Sequence, residues 1–128
     1  MAGARFHSNS WSSSSNSYTS TSRDIDTFVY AHDDFLVFNS AGNRGHTGGT
    51  SGTYYTTSTP STAKNNMCIG AGRNSAGAFT QVAYFSSHGP TAYDMRFKPD
   101  LVPPPASRAP RTVPSQALVF LKGLGFRV

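Results

Sequence analysis

The sequence predicts an α/β fold with a mostly parallel sheet, and three observations lead to this prediction. The first is a helical spacing of apolar residues over about residues 20–32. The second is a pair of strand-length segments on either side of that helix, at residues 4–9 and 35–38. The third is the continuous apolar character of residues 35–38, which is typical of a parallel strand covered on both faces. Strand, helix and strand in this order form a βαβ unit.

The predicted helix has both a periodic face and a start signal. Thr21 is a candidate N-cap, and Asp24 follows three residues later, as in a capping box. We expect Asp24 and Asp26 to lie in the first turn, where negative charge suits the positive end of the helix dipole. The side chains at i, i+3, i+4 and i+7 are Ile25, Phe28, Val29 and His32.

The sequence is less regular after the βαβ unit. Residues 44–62 are rich in Gly, Thr, Ser and Tyr, and this composition predicts a long surface loop. Two further short strands are expected at residues 66–71 and 78–85. Cys68 lies in an apolar segment, so we expect a buried, inert thiol.

Composition and charge exclude several classes of protein. The 128 residues fit one domain, and 37% hydrophobic with 13% charged residues is not the profile of a disordered chain. The net charge of +5 belongs mostly to the last 28 residues, which carry four Lys or Arg and no acid. These cations are spread out rather than clustered with aromatic residues, so nucleic-acid binding is not predicted.

Membrane, disulfide and metal signals are also missing from the sequence. No stretch approaches the roughly 18 apolar residues of a membrane span, and no signal peptide is visible, so localisation stays open. A single cysteine excludes an internal disulfide and a CxxC zinc site. Asp33 and Asp34 are interpreted as solvated loop carboxylates, so no metal site is predicted.

Two predicted loops lie where an α/β protein binds its ligand. In open α/β sheets, ligands bind beyond the carboxyl ends of the strands. The segments Ser10-Trp11-Ser12 and Ser40-Ala41-Gly42-Asn43 both follow such strand ends. Their residues are mostly small, so the backbone can approach a ligand closely.

An ordered set of motifs resembles one protein family. The set begins with His7-Ser8-Asn9-Ser10-Trp11, Ser40-Ala41-Gly42-Asn43 and Pro60-Ser61-Thr62-Ala63-Lys64-Asn65, and it continues with Ile69-Gly70-Ala71, Phe85-Ser86-Ser87-His88-Gly89-Pro90-Thr91 and Lys98-Pro99-Asp100-Leu101-Val102. Over about residues 3–102 this order is similar to the catalytic domain of a subtilisin-like serine protease. The resemblance implies part of a three-layer subtilisin-like fold. Residues 1–102 are then an incomplete peptidase domain, and residues 103–128 a divergent tail rich in Pro and Arg.

The resemblance also implies a chemistry, which is hydrolysis of peptide bonds in a polypeptide substrate. Asn43 matches the family's Asn after Ala-Gly, whose side-chain amide donates to the oxyanion of the tetrahedral intermediate. The segments on either side of the cleft match the two walls of the family's primary specificity pocket, with Ser12 standing where Gly is usual. The implied substrate-binding residues are Ser10, Trp11, Ser12, Ser40, Ala41 and Gly42.

The Asp, His and Ser of the family's catalytic triad are not expected among these residues. In the family, the Asp and His motifs precede this stretch, and nothing in residues 103–128 resembles the nucleophile motif. Ser51 follows Gly-Thr but stands in the wrong order, and His88 falls at a variable motif position. We therefore expect a partial serine endopeptidase that is inactive alone. The alternative is a non-catalytic peptide-binding or interaction module derived from a subtilase. No cofactor is expected, and the resemblance leaves calcium open for the complete family domain.

Overall fold

The computed structural model describes residues 3–46, 54–73 and 81–103 and contains one helix and one parallel sheet in this part of the chain. The order along the chain is strand, helix, strand, strand. Both strand pairs are parallel, with the sheet order β1-β2-β3, so the predicted α/β fold is confirmed. The elements are β1 (Phe6–Asn9), α1 (Ser20–Ala31), β2 (Leu36–Ser40) and β3 (Met67–Ile69).

The register of the sheet brings the ends of β1 and β2 to the same edge. Asn9 pairs with Asn39, so the chain leaves both strands at neighbouring positions. On the other side of β2, Ser40 pairs with Ile69 at the end of β3. The backbone N–H of Ala41 donates to the Ile69 carbonyl at 2.8 Å and extends this pairing by one bond. The sheet therefore has one carboxyl edge, from which the predicted cleft loops emerge.

The helix is predicted correctly in position, but its N-terminus differs from the expectation. Its N-cap is Thr19 rather than Thr21, and no side chain caps it. The Thr19 hydroxyl instead shares a 2.8 Å hydrogen bond with the Thr59 hydroxyl. The first turn holds no acidic residue, because the helix begins at Ser20 and Asp26 lies in the second turn. Tertiary hydrogen bonds, rather than local capping, therefore set how the helix begins.

The boundaries of β1, β2 and β3 differ from the predicted ones by at most two residues. β2 begins one residue later than expected, and the Phe35 N–H donates to the His32 carbonyl at 3.0 Å in the turn after the helix. Of the expected fourth strand, residues 78–80 lie outside the described residues. Within residues 81–85 only Val82 pairs, in an isolated antiparallel bridge with Gly72, so the prediction of a regular strand is wrong there.

The core is small in its apolar part and large in its polar part. Residues 56–63 are all buried, so the prediction of a surface loop is wrong for this segment, while residues 47–53 lie outside the described ones. The buried apolar side chains of the described part are Val37, Phe38, Ala41, Ala63, Cys68, Ile69 and Ala83.

The predicted tail, apart from residue 103, also lies outside the described residues, and the domain boundary at residue 102 stays a prediction.

Candidate functional site

A pair of asparagines marks the carboxyl edge of β1 and β2. The Asn9 side-chain amide donates to Asn39 Oδ1 at 2.8 Å, and the Asn9 oxygen is 2.7 Å from His7 Nε2. Asn39 is only 1% exposed, and its Nδ2 has no hydrogen-bond partner within the described residues. The pair ties the two strand ends together directly beneath the predicted cleft loops.

The segment after β2 is shaped by Gly42. Its φ of +109° is strained for any residue with a side chain. A Cβ at this position would also meet Ser87 Oγ at 2.9 Å and Ser58 Oγ at 3.1 Å. Both conformation and packing therefore require glycine immediately before Asn43.

Ser87 holds the backbone on both sides of Asn43. Its N–H donates to the Gly42 carbonyl at 3.0 Å, and its Oγ accepts the Arg44 N–H at 3.1 Å. Ser87 is completely buried, whereas Asn43 is exposed. The result is a fixed backbone that presents an accessible side-chain amide at the carboxyl edge of the sheet.

The buried segment 56–62 joins the two cleft loops from below. Ser58 N–H donates to the Ala41 carbonyl at 3.1 Å, on the second loop. Thr59 bonds the chain directly after the first loop twice, because its N–H donates to the Ser15 carbonyl at 2.8 Å and its carbonyl accepts the Ser13 N–H at 2.9 Å. Sequence reasoning missed this segment, although its dense Ser and Thr content next to Pro60 was a signal for side-chain-to-backbone bonding.

The predicted substrate-binding residues lie at the ends of two strands, residues 10–12 after β1 and residues 40–42 at the end of β2. Ser10 and Ser12 are exposed, and they follow β1 at the same edge from which residues 40–43 follow β2. Trp11 is 53% exposed and borders a cavity of about 500 Å³ beside the helix, named the apolar cavity below. The apolar cavity is lined by His7, Asn9, Trp11, Thr21, Asp24, Ile25, Phe28, Phe35 and Val37.

The second loop is more closely packed than the first. Ala41 is 1% exposed and Ser40 is half-buried, with its carbonyl accepting a 2.5 Å hydrogen bond from Ser61 Oγ. The exposed part of this loop is therefore confined to Asn43 and the residues that follow it.

Cys68 and Asp100 have structural surroundings. Burial raises the pKa of the Cys68 thiol to about 12, so the thiol is neutral and is not a nucleophile. Asp100 Oδ2 accepts the Cys68 N–H at 2.7 Å and lies 2.6 Å from the buried Lys98 Nζ. The Lys-Pro-Asp motif thus anchors the chain after residue 97 to β3.

The described part of the chain has neither a metal-binding cluster nor a membrane-spanning helix. Residues 3–46, 54–73 and 81–103 contain no group of three or more His, Cys, Asp or Glu side chains that could hold a metal ion. Within the same ranges, no helix has the length and apolar character needed to cross a membrane.

Comparison with known proteins gives the class to which this fold and cleft belong. The profile of the subtilase family, peptidase S8, matches residues 1–119. The chain therefore belongs to the subtilase family.

A curated relative agrees with the family. The serine protease/ABC transporter B family protein tagD of Dictyostelium discoideum is 34% identical over 84 residues. The aligned region covers 62% of this chain and 4% of the relative, so the chain spans a small part of that relative's length.

Proposed function

We propose that this chain supplies the oxyanion-binding and substrate-cleft part of a subtilisin-like serine endopeptidase. In this proposal the Asn43 side-chain amide donates to the oxyanion, and Ser10, Trp11 and Ser12 with residues 40–42 form the cleft walls. The proposal assigns no catalytic Asp, His or Ser of the triad to this chain.

The observation that carries the proposal is the fixed backbone around the exposed Asn43. An oxyanion donor must be positioned before charge develops, because then no energy is lost to reorganisation during the reaction. Ser87 holds the Gly42 carbonyl and the Arg44 N–H, which supports such preorganisation.

The cleft walls are supported in the same way. The chain directly after the first wall is bonded through Ser13 and Ser15 to Thr59, and the second wall is bonded through Ala41 to Ser58. One buried segment thus sets the spacing between the two loops. A constant spacing is what a cleft for an extended peptide requires, because misplacement of a bound substrate lowers the rate steeply.

The experiment compares Asn43→Ala with the unchanged chain in a complete catalytic domain, in which segments carrying the triad are joined in frame. We expect kcat for a peptide substrate to fall about 10²- to 10³-fold with little change in KM, because the amide acts mainly on the transition state. The matched control is Asn65→Ala, since Asn65 is also exposed but precedes β3 at the opposite edge of the sheet.

Two results would count against the proposal. If Asn43→Ala raises KM and leaves kcat unchanged, Asn43 is a turn or binding residue. If the chain alone hydrolyses casein after stringent purification, the triad is present in it after all. Peptide binding without hydrolysis by the complete domain would instead support the non-catalytic module.

A further inference from the structure

The segment that holds Asn43 in place is itself held by another part of the chain. Residues 85–88, named the Ser87 segment below, run alongside the loop after β2. Ser87 bonds the residues on both sides of Asn43, and the Phe85 carbonyl accepts the Gly45 N–H at 2.9 Å. Whatever fixes the Ser87 segment therefore also fixes the backbone from which the Asn43 side chain projects.

Thr56 clamps the end of the Ser87 segment with both its backbone and its side chain. Its N–H donates to the His88 carbonyl at 2.8 Å, and the Thr57 N–H donates to the same oxygen at 3.2 Å. The Thr56 hydroxyl accepts the His88 N–H at 2.7 Å and donates to the His88 carbonyl at 3.3 Å. Thr56 thus bonds both backbone groups of His88, and it is only 7% exposed.

The chain directly before Thr56 has an unfavourable conformation. Tyr55 has a φ of +62°, in the left-handed region that is uncommon for a residue with a bulky side chain. Such a conformation persists only where the surrounding contacts determine the backbone. The Asn16 side-chain amide donates to the Tyr55 carbonyl at 2.9 Å, and the clamp on His88 follows at the next residue. These contacts present the Thr56 hydroxyl to the Ser87 segment in one fixed position.

We propose that the Thr56 hydroxyl positions the oxyanion donor, because it fixes the Ser87 segment, which in turn fixes Asn43. This inference rests on the proposed function of Asn43. A donor lowers the barrier only when it is held where charge develops, and a displaced donor loses much of its effect. Thr56 is a positioning residue in this scheme, since it acts on the reaction only through the backbone of the Ser87 segment.

Hydrogen exchange of backbone amides in the full chain measures this coupling without catalysis. We expect Thr56→Val to speed the exchange of the Arg44 N–H about tenfold relative to the Ala41 N–H. The reason is that the Arg44 N–H is bonded to Ser87, whereas the Ala41 N–H is bonded to β3. The matched control is Thr27→Val, because the Thr27 hydroxyl also donates to a backbone carbonyl but lies exposed on the helix.

Kinetics of the complete catalytic domain measure the effect on the reaction. Valine keeps the shape of threonine without its hydroxyl, so Thr56→Val should lower kcat for a peptide substrate about tenfold, with little change in KM. Thr56→Ser keeps the hydroxyl and should hold kcat within about twofold of the unchanged domain. Thr27→Val should leave kcat unchanged.

A double-mutant cycle separates positioning from a purely structural role. If the Thr56 hydroxyl acts through Asn43, Thr56→Val lowers kcat in the unchanged domain but has no further effect in Asn43→Ala. A general loss of stability would lower kcat by the same factor in both backgrounds.

The outcomes also separate this inference from the proposed function. The role of Thr56 is overturned, and the proposed function is left intact, if Thr56→Val leaves kcat unchanged or lowers it equally in both backgrounds. An exchange ratio of Arg44 to Ala41 that does not change in Thr56→Val overturns it as well. If Asn43→Ala itself leaves kcat unchanged, the proposed function fails and the inference fails with it.

Discussion

Residues 56–62 and the apolar cavity show opposite relations between composition and burial. Residues 56–62 consist of Ser, Thr and one Pro, yet every one of them is buried. The apolar cavity contains aromatic side chains, yet Phe28 is 44% and Trp11 53% exposed. In these two regions, burial therefore follows the availability of hydrogen-bond partners more closely than it follows hydrophobicity.

The hydroxyl groups explain how a polar segment becomes core. Ser22 on the helix is completely buried, and its Oγ lies 2.8 Å from both Thr59 Oγ1 and Thr62 Oγ1. Buried hydroxyl groups are tolerated when such partners replace water. The apolar cavity has no equivalent network of partners. Aromatic rings become buried only when other parts of the chain cover them, and the described residues leave one side of the cavity open.

The largest loss of stability is expected where a carboxylate holds the end of the polar segment. Asp26 Oδ1 accepts the N–H groups of Lys64 and Asn65 at 2.7 Å each, and Asp26 Oδ2 accepts the Tyr18 hydroxyl at 2.8 Å. Asp26→Ala leaves these donors without an acceptor and should lower the free energy of unfolding by about 3 kcal/mol. Urea denaturation measures this, with the exposed Asp24→Ala as control. A loss no larger than that of the control would contradict the role of Asp26.

A smaller loss is expected within the hydroxyl cluster itself. Ser22→Ala removes one hydroxyl that serves both Thr59 and Thr62, which should cost about 1–2 kcal/mol of unfolding free energy. Ser20→Ala is the matched control, because Ser20 is exposed on the same helix. Equal midpoints of urea unfolding for the two variants would show that the cluster does not stabilise the fold.

The lining of the apolar cavity should tolerate the loss of an entire aromatic ring with little loss of stability. Phe28 stacks on His32 at a centroid distance of 4.3 Å and meets Phe35 edge-on, but it stays partly exposed. We expect Phe28→Ala to cost about 1 kcal/mol in urea unfolding, against roughly 3–5 kcal/mol for a fully buried Phe. A loss in the higher range would mean that the cavity is covered in solution.

The smallest effect concerns acid. Hydrogen bonds from Arg96 and Thr91 lower the pKa of Asp94 from 3.8 to about 2. Because the folded-state pKa lies below the unfolded one, this stabilisation is present above about pH 4 and is lost as the pH falls towards 2. The Asp94 side chain is 39% exposed, so solvent screening keeps the contribution below about 1 kcal/mol.

Asp94→Asn isolates this contribution from those of other carboxylates. The difference in unfolding free energy between the unchanged chain and the variant should be larger at pH 6 than at pH 2.5. Urea denaturation at both pH values measures it. A difference that does not change with pH would contradict the assignment to Asp94.

The sequence by itself predicted the elements whose signals are local. The period of the helix and the apolar run of β2 led to the βαβ unit, and the motif order led to the family, which the profile match over residues 1–119 confirms. The two cleft loops were also expected at one edge of the sheet. The pairing of Asn9 with Asn39 confirms that β1 and β2 end at the same edge. The roles of Asn43 and of the cleft residues stay predictions.

Only the tertiary structure decided which polar residues are buried and what they bond. Ser22 meets Thr59 across 37 positions of sequence, and Asp26 meets Lys64 across 38. A hydroxyl or carboxylate residue looks the same in the sequence whether its side chain lies in a solvated loop or in a buried hydrogen-bond network. Hydrophobic periodicity therefore cannot separate the two cases. The difference arises from whether the folded chain brings a partner within hydrogen-bond distance, because an unpaired polar group would keep its water.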